Sequence, residues 1–313
     1  MPMDDTTNKR RPGLHVVTGA FGFSGRRITR RLLDLGHRVR TLTNHAIEGD
    51  PLSRKIEIAP LCFDDPQRLT ESLRGTAVLY NTYWVRFTRY ETSHEQAVRN
   101  SAVLIRCAAD AGVRRFVHIS ITNPDEESPL PYFSGKALLE ATIRASGLSY
   151  AILRPTVLFG TGDILLNNIA WMLRRLPVFG VFGKGDYRLQ PVDVDDLASL
   201  AISTGTGNEN TVIDAVGPEV FSFDELVHTL RQAVGSRTVI VHMPLWAGLA
   251  VGGLLGRLLG DVVITKDEVD GLMADLLISH APPTCPTRLT EWLACHGDDL
   301  GRRYASELAR HYR

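Results

Sequence analysis

A tyrosine and a lysine four residues apart could together handle a proton. Tyr132 and Lys136 lie in the segment YFSGK, and this spacing places both side chains on one face of a helix. A lysine cation beside a phenol favours the phenolate, which lowers the tyrosine pKa from its ordinary value of about 10. Such a tyrosine can give a proton to a carbonyl or take one from an alcohol. The same pair also occurs by chance on exposed helices.

Three glycines at a spacing of three residues open the first helical segment of the chain. Gly19, Gly22 and Gly25 follow an apolar segment and precede an amphipathic one. Gly19 suits a turn conformation that other residues avoid, Gly22 allows backbone to approach a pyrophosphate, and Gly25 allows helix to pack on strand. The first N–H groups of the helix would then face the phosphate charge. The spacing is a variant of the dinucleotide fingerprint, and a glycine-rich turn without a ligand is the alternative.

Strand-like and helix-like segments alternate up to about residue 160. The predicted strands span residues 14–18, 38–43, 56–62, 77–81, 115–120 and 149–154, and the predicted helices span residues 25–35, 65–73, 94–111 and 133–145. This alternation predicts an α/β fold with a Rossmann-type, doubly wound parallel sheet. The later residues predict a smaller, mostly helical C-terminal lobe, in which residues 177–186 form a glycine-rich, aromatic loop.

The pattern divides the 313 residues into three parts. We expect a disordered lead-in at residues 1–12, a dinucleotide-binding core at 13–160, and a C-terminal part at 161–313 that completes the sheet edge and forms the substrate lobe. The formal net charge is zero, which excludes a basic footprint for nucleic acid. Four cysteines without disulfide or metal-ligand spacing, and an N-terminus without a signal-peptide pattern, indicate the cytoplasm and no metal. The oligomeric state stays open.

One apolar segment, at residues 244–256, could contact a membrane surface or a lipophilic ligand. It is too short to span a bilayer, which needs about 20 apolar residues, so we expect no transmembrane helix. A buried or surface-packed helix is the favoured interpretation, and peripheral membrane contact is the alternative.

As a set, five motifs resemble those of the short-chain dehydrogenase/reductase superfamily, in its extended and atypical branches. They are TGAFGFSG at 18–25, FVHIS at 116–120, the Tyr132–Lys136 pair, RPTVLFG at 154–160 and VDVDDLA at 192–198. The stretch at 176–198 is similar to that of epimerase/dehydratase-like proteins, a group that includes the accessory subunit of respiratory complex I. The resemblance implies an NAD(P) cofactor and hydride transfer between its nicotinamide and a secondary alcohol or ketone.

The resemblance also implies roles for individual residues. Tyr132 would be the acid/base, and Lys136 would bind the cofactor ribose. Ser120 or Thr122 would polarise the substrate oxygen, because Ile121 stands where many relatives have a serine. The implied cofactor-binding residues are Gly19, Phe21, Gly22, Phe23, Gly25, Thr43, Asn44, His45, Phe63, Asn81, Thr82, Tyr83, Lys136, Pro155, Thr156 and Val157.

The end of the second predicted strand bears on the choice of cofactor. NAD-specific relatives carry an acidic residue there that binds the ribose diol, whereas this chain has Thr43, Asn44 and His45. With Arg26 and Arg40 nearby, the missing carboxylate favours NADP(H), and NAD(H) is the alternative.

The segment after the fourth strand bears on the substrate. Trp84 and Arg86 follow that strand in a stretch of aromatic residues and arginines. They could form a substrate wall with an anion-binding arginine, or a packed surface loop with exposed arginines.

Two functions from different classes remain. The first is an NAD(P)-dependent oxidoreductase or epimerase/dehydratase-like enzyme that acts on a small molecule through the Tyr132–Lys136 pair. The second is a non-catalytic NAD(P)(H)-binding sensor or scaffold protein. Ile121 favours the second, the intact pair favours the first, and the fold alone cannot decide between them.

Overall fold

The described part of the chain alternates strands and helices. In this computed structural model it comprises residues 13–44, 49–86 and 93–311. The strands are β1 (Leu14–Thr18), β2 (Arg38–Leu42), β3 (Glu57–Ala59), β4 (Thr76–Asn81), β5 (Arg115–Ile119), β6 (Tyr150–Pro155), β7 (Val157–Phe159), β8 (Val178–Phe182), β9 (Arg188–Leu189), β10 (Pro191–Asp193), β11 (Thr211–Ala215), β12 (Phe221–Ser222) and β13 (Val239–Met243). The helices are α1 (Phe23–Asp34), α2 (Pro66–Leu73), α3 (His94–Asp110), α4 (Pro131–Ala145), α5 (Leu165–Arg175), α6 (Val194–Thr206), α7 (Phe223–Ala233), α8 (Leu245–Leu259), α9 (Lys266–Met273), α10 (Leu289–His296) and α11 (Glu307–His311).

Seven parallel strands form the central sheet, in the order β11-β6-β5-β4-β1-β2-β3. The strand order reverses between β1 and β4, and the carboxyl ends of these two strands border the crevice where such sheets bind dinucleotides. The predicted α/β fold with a Rossmann-type, doubly wound parallel sheet is confirmed. β11 comes from the C-terminal half of the chain and forms one edge of the sheet.

Amphipathic helices cover both faces of this sheet. Every residue of β1, β4 and β5 is buried, as expected for strands covered on two sides. On one face, a cluster of buried apolar side chains joins β1 and β4 to Ile28 of α1 and Leu197 of α6. On the other face, a second apolar cluster joins the sheet to Leu69 of α2, Leu104 of α3 and Leu139 of α4. The burial of both faces fixes the strand ends that carry the site.

The C-terminal lobe has a core of its own, in which α5, α7 and α10 pack around β8. The prediction of a loop at residues 177–186 is wrong, because β8 pairs in parallel with β13. Phe179 and Val181 are buried at alternating positions, as in a strand. Met243 of β13 packs so closely on Gly180 that a Cβ there would lie 2.1 Å from its Cε. The glycine is therefore a packing position within a strand.

The apolar segment at 244–256 forms most of α8, a helix of 15 residues. One side of α8 packs against β8, where Gly248 contacts Phe182, and Trp246 and Leu258 on the helix are exposed. In the part of the chain that the structure describes, no helix has the length and apolar character needed to cross a membrane.

Candidate active site

The glycine-rich turn joins β1 to α1. Gly19 has a φ of 68°, in the left-handed region that favours glycine. A Cβ on Gly25 would lie 2.2 Å from the carbonyl oxygen of Gly19, so the helix can approach the turn only with glycine there. Gly22 is the N-cap of α1, with no side-chain cap and no acidic residue in the first turn. The N–H groups at this helix end therefore suit the pyrophosphate of a dinucleotide.

Thr18 holds together the carboxyl ends of β1 and β4. Its hydroxyl accepts hydrogen bonds from the backbone N–H groups of Thr82 at 2.8 Å and Tyr83 at 3.1 Å. The same hydroxyl lies 3.1 Å from the side-chain oxygen of Asn81, to which it donates. The Asn81 amide in turn donates to Nδ1 of His118 at 3.1 Å. Asn81 is fully buried, and through Thr18 and His118 it links the ends of β1, β4 and β5 at the crevice.

Tyr83 and Phe63, both predicted to contact the cofactor, lie beside each other. Their ring centroids are 4.9 Å apart. The Tyr83 hydroxyl accepts a hydrogen bond of 2.9 Å from the amide of Asn100 in α3. Burial raises the pKa of Tyr83, although this hydrogen bond opposes the rise. Tyr83 is therefore a neutral phenol at the end of β4.

The residues predicted at the adenine side lie where β2 and β3 end. The Asn44 amide donates to the carbonyl of Leu61 at 2.8 Å and accepts from its N–H at 2.9 Å. The N–H of Thr43 donates to the carbonyl of Ala59 at 3.0 Å. Asn44 thus ties the two strand ends together. His45 lies outside the described residues.

The two arginines that favoured NADP(H) are both paired with carboxylates. Arg26 donates to Asp50 at 2.6 Å and to the carbonyl of Phe21 at 3.3 Å. This guanidinium holds the pKa of Asp50 below its ordinary value. Arg40 donates to Glu57 at 2.7 Å. The residues at the end of β2 do not indicate this partner, because Asp50 lies further along the chain than the strand end.

Tyr132 lies in the first turn of α4 and lines a large cavity at the carboxyl side of the sheet. The rings of Trp84 and His94 meet it edge to face, each with centroids 5.7 Å away. Burial raises the pKa of Tyr132 to about 12, although Arg86 favours the charged form. The expected lowering of this pKa by Lys136 is therefore wrong. Tyr132 keeps its proton at neutral pH and can donate it.

Lys136 is buried behind Tyr132, with only 3% of its surface exposed. Its Nζ donates to the carbonyl of Ile119 at 2.8 Å and lies 4.5 Å from the ring centroid of Trp84. Burial lowers the pKa of Lys136 from 10.5 to about 7, and the charge of Glu140 only partly offsets this. Lys136 thus joins α4 to the end of β5. Neither Lys136 nor Trp84 lines the cavity.

The structure does not bring the hydroxyls of Ser120 and Thr122 to Tyr132. Ser120 donates to the buried carboxylate of Glu140 at 2.7 Å, and Thr122 donates to the carbonyl of Pro155 at 3.3 Å. Ile121 between them lines the cavity instead. Successive side chains of an extended chain point to opposite sides, so Ile121 takes the cavity side and both hydroxyls point away. Their predicted role in polarising a substrate oxygen has no geometric support.

The residues after β6 reach the same cavity as Tyr132. Thr156 and Val157 line it, together with Phe23 from the start of α1. The Thr156 hydroxyl donates to the carbonyl of Gln190, which fixes this segment beside β10. Pro155 accepts hydrogen bonds through its carbonyl. The cavity therefore begins where the glycine-rich turn and the end of β6 meet.

Arg86 also lines the cavity, but its charge is already balanced. It donates to Glu268 of α9 at 2.5 Å and to Glu307 of α11 at 2.8 Å. Burial disfavours the charge on Arg86, yet the two carboxylates outweigh that cost and raise its pKa. The interpretation of Arg86 as an anion-binding residue is wrong, because two carboxylates surround it. The rest of the loop, residues 87–92, lies outside the described residues.

His94 is a cavity residue that sequence reasoning missed. It is the first residue of α3 and stands beside Tyr132, and Ser93 caps the helix there by accepting from the N–H of Gln96. No hydrogen-bond partner for its Nδ1 is found within the described residues. Burial lowers the pKa of His94, so its imidazole is neutral at neutral pH. The Ser93 cap, visible in the sequence, already placed His94 at the start of the helix.

Residues 13–44, 49–86 and 93–311 hold no group of three or more His, Cys, Asp or Glu side chains that could bind a metal ion. The aspartates near residue 193 serve another purpose. Asp193 caps α6 by accepting from the N–H groups of Asp195 at 2.7 Å and Asp196 at 3.1 Å.

Comparisons with known proteins agree with this geometry. Residues 19–164 match a family model described as NAD(P)H-binding. Photosystem II assembly factor Ycf39 of Cyanophora paradoxa is 30% identical over 235 residues, which is 74% of this chain and 71% of that protein. The chain belongs to the NAD(P)H-binding family.

Other proteins similar to this chain bear different names. The mitochondrial NADH dehydrogenase [ubiquinone] 1 alpha subcomplex subunit 9 of Arabidopsis thaliana is 23% identical over 284 residues, covering 84% of this chain and 70% of that subunit. The crystal structure of the NADPH-dependent quinone oxidoreductase QOR2 of Escherichia coli, complexed with NADPH, is 20% identical. It matches with a TM-score of 0.73 and covers 90% of this chain and 99% of that one. This second likeness shows the shared fold.

Proposed function

We propose that this protein is an NAD(P)H-dependent oxidoreductase that interconverts a ketone and a secondary alcohol, with Tyr132 as the proton donor. The observation that carries the proposal is the position of Tyr132. Its ring lines the same cavity as Phe23, Thr156 and Val157, at the dinucleotide side of the sheet. The name of the fold relative from Escherichia coli, an NADPH-dependent quinone oxidoreductase, supports a redox function.

The chain's own residues account for the proton in this reaction. The bound nicotinamide would supply a hydride to the carbonyl carbon. Tyr132 then donates its phenolic proton to the carbonyl oxygen, and its raised pKa keeps that proton in place until the oxygen becomes basic. The neutral imidazole of His94 stands beside the phenol and would orient the same oxygen.

The glycine turn and the end of β6 would hold the dinucleotide. The backbone of Gly19 and Gly22 would take the pyrophosphate, and Thr156 and Val157 would border the nicotinamide. We propose NADP(H) as the preferred cofactor and NAD(H) as the alternative. The absence of a carboxylate at Thr43 and Asn44 supports this preference.

The test is a titration of purified protein with NADPH and NADH, followed by a screen of ketones. Tyr132→Phe should keep the nucleotide affinity of the wild type and lose turnover by about 10²–10⁴-fold, the usual contribution of a positioned acid. Tyr150→Phe, a change at the start of β6 outside the cavity lining, is the matched control and should retain turnover. Failure to bind either nucleotide would refute the proposal.

A non-catalytic dinucleotide-binding protein is the second candidate function. Ile121 favours it, because an apolar side chain lines the cavity where a hydroxyl would polarise the substrate. The names of two relatives, an assembly factor and a respiratory-complex subunit, point the same way. Tight nucleotide binding without turnover of any ketone or alcohol would support this candidate.

We propose the cytoplasm as the compartment of this protein. Its four cysteines form no disulfide bonds, which is in keeping with a reducing compartment.

A further inference from the structure

The cavity beside Tyr132 extends away from the dinucleotide side into an apolar space. Its volume is about 650 Å³, within the range of sites for drug-sized molecules. The C-terminal lobe supplies most of the lining. Representative wall residues are Met172 of α5, Phe182 of β8, Leu255 of α8 and Leu272 of α9. Such walls can hold a hydrocarbon chain but offer few partners to a sugar.

The charges around the cavity disfavour an anion. Asp163, Asp267, Glu268 and Glu307 contribute carboxylates to its lining. Of the lining residues that the structure describes, only Arg86 carries a permanent positive charge, and Glu268 and Glu307 already bind it. Among the described residues, a phosphate or carboxylate entering this space would meet net negative charge and no cation that is not already paired.

We propose that the substrate is an uncharged ketone or secondary alcohol with a long apolar chain, whose oxygen lies at Tyr132 and whose chain fills the apolar space. This inference rests on the proposed oxidoreductase function for the position of the oxygen. The cavity and its charges alone determine the rest, namely an apolar chain and the absence of a negative charge.

The experiment measures binding without any nucleotide. Alkan-2-ones of increasing length compete with Nile red, a neutral fluorescent probe, for the purified full chain. Each added methylene that enters the cavity should tighten binding by about fourfold, until the chain outgrows the space. An alkanoate anion of the same length should bind at least tenfold more weakly than the ketone. Equal or tighter binding of the anion, or no dependence on length, would overturn the inference.

A pair of variants on α8 locates the site. Leu255→Trp fills the cavity and should weaken the longest ketones most. Leu254→Trp is the matched control, because Leu254 is 58% exposed on the same helix and does not line the cavity. Retained nucleotide binding in Leu255→Trp would show that the central sheet and its glycine turn are folded, and an unchanged midpoint of thermal unfolding would show the same for the lobe that carries α8. Equal effects of both variants would place the ketones outside the cavity and refute the inference.

The outcomes also separate this inference from the proposed function. Length-dependent ketone binding without turnover would support the apolar binding site and refute the proposed oxidoreductase function. Turnover of short ketones, with no increase in affinity for longer chains, would support the oxidoreductase function and refute the proposed chain-binding site. Tight binding of nucleotide sugars would refute the inference as well.

Discussion

The buried lysine behind Tyr132 makes the stability of the protein depend on pH. In the folded state burial lowers the pKa of Lys136 to about 7, whereas the unfolded chain has the ordinary value of 10.5. Between these values the unfolded chain binds a proton that the folded chain lacks, so raising the pH favours folding. Linkage between these two values makes the lysine's contribution about 2 kcal/mol more favourable at pH 9 than at pH 7. Below pH 7 the penalty for burying the charge is fully present.

Replacement of Lys136 by methionine removes this contribution and keeps most of the side-chain volume. The free energy of unfolding, from urea titrations at pH 6, 7, 8 and 9, should rise with pH in the wild type relative to Lys136→Met. The difference between the two proteins cancels the titrating groups that do not interact with Lys136. Lys55→Met removes an exposed lysine and should follow the wild type. A constant difference between wild type and Lys136→Met over this range would refute the assignment of a neutral, buried lysine.

Two further changes test the packing of the site. Gly25→Ala should destabilise the fold by about 1–3 kcal/mol and weaken nucleotide binding, because its Cβ would lie 2.2 Å from the carbonyl oxygen of Gly19. Gly253→Ala is the control in thermal unfolding. It should be neutral or stabilising, because no atom lies near the added Cβ. Glu140→Gln should cost about 1–3 kcal/mol, because the buried carboxylate accepts charge-assisted hydrogen bonds from two partly exposed arginines and one from Ser120. Glu71→Gln, at an exposed ion pair, should change stability by less than about 1 kcal/mol, and equal losses in the two variants would contradict the reasoning.

The sequence predicted the parts of the site that depend on local pattern. Apolar periodicity located β1, β4, β5 and α4, and the glycine spacing located the turn, because those patterns act within a few residues. The ion-pair partners of the charged residues could not be predicted from the sequence. Arg86 meets residues from α9 and α11 that are 182 and 221 positions away, and only the folded chain shows that they neutralise it.

The pKa of Tyr132 shows a second limit of sequence reasoning. The spacing to Lys136 was right, but the predicted direction of the pKa shift was wrong, because burial of Tyr132 itself raises its pKa. Spacing gives the face of a helix on which a side chain lies. It does not give the solvent exposure of that face, and exposure decides whether a cation is present.

The proposed proton donor and most of the cavity walls belong to different parts of the architecture. Tyr132 is carried by a helix that packs on the central sheet, whereas most of the walls come from a lobe with a separate core. We therefore expect substitutions in α8 or α9 to change which molecules fit the cavity, while the proposed nucleotide site at the glycine turn is left intact. A combinatorial library for altered ligand choice would accordingly vary α8 and α9 and keep the central sheet unchanged.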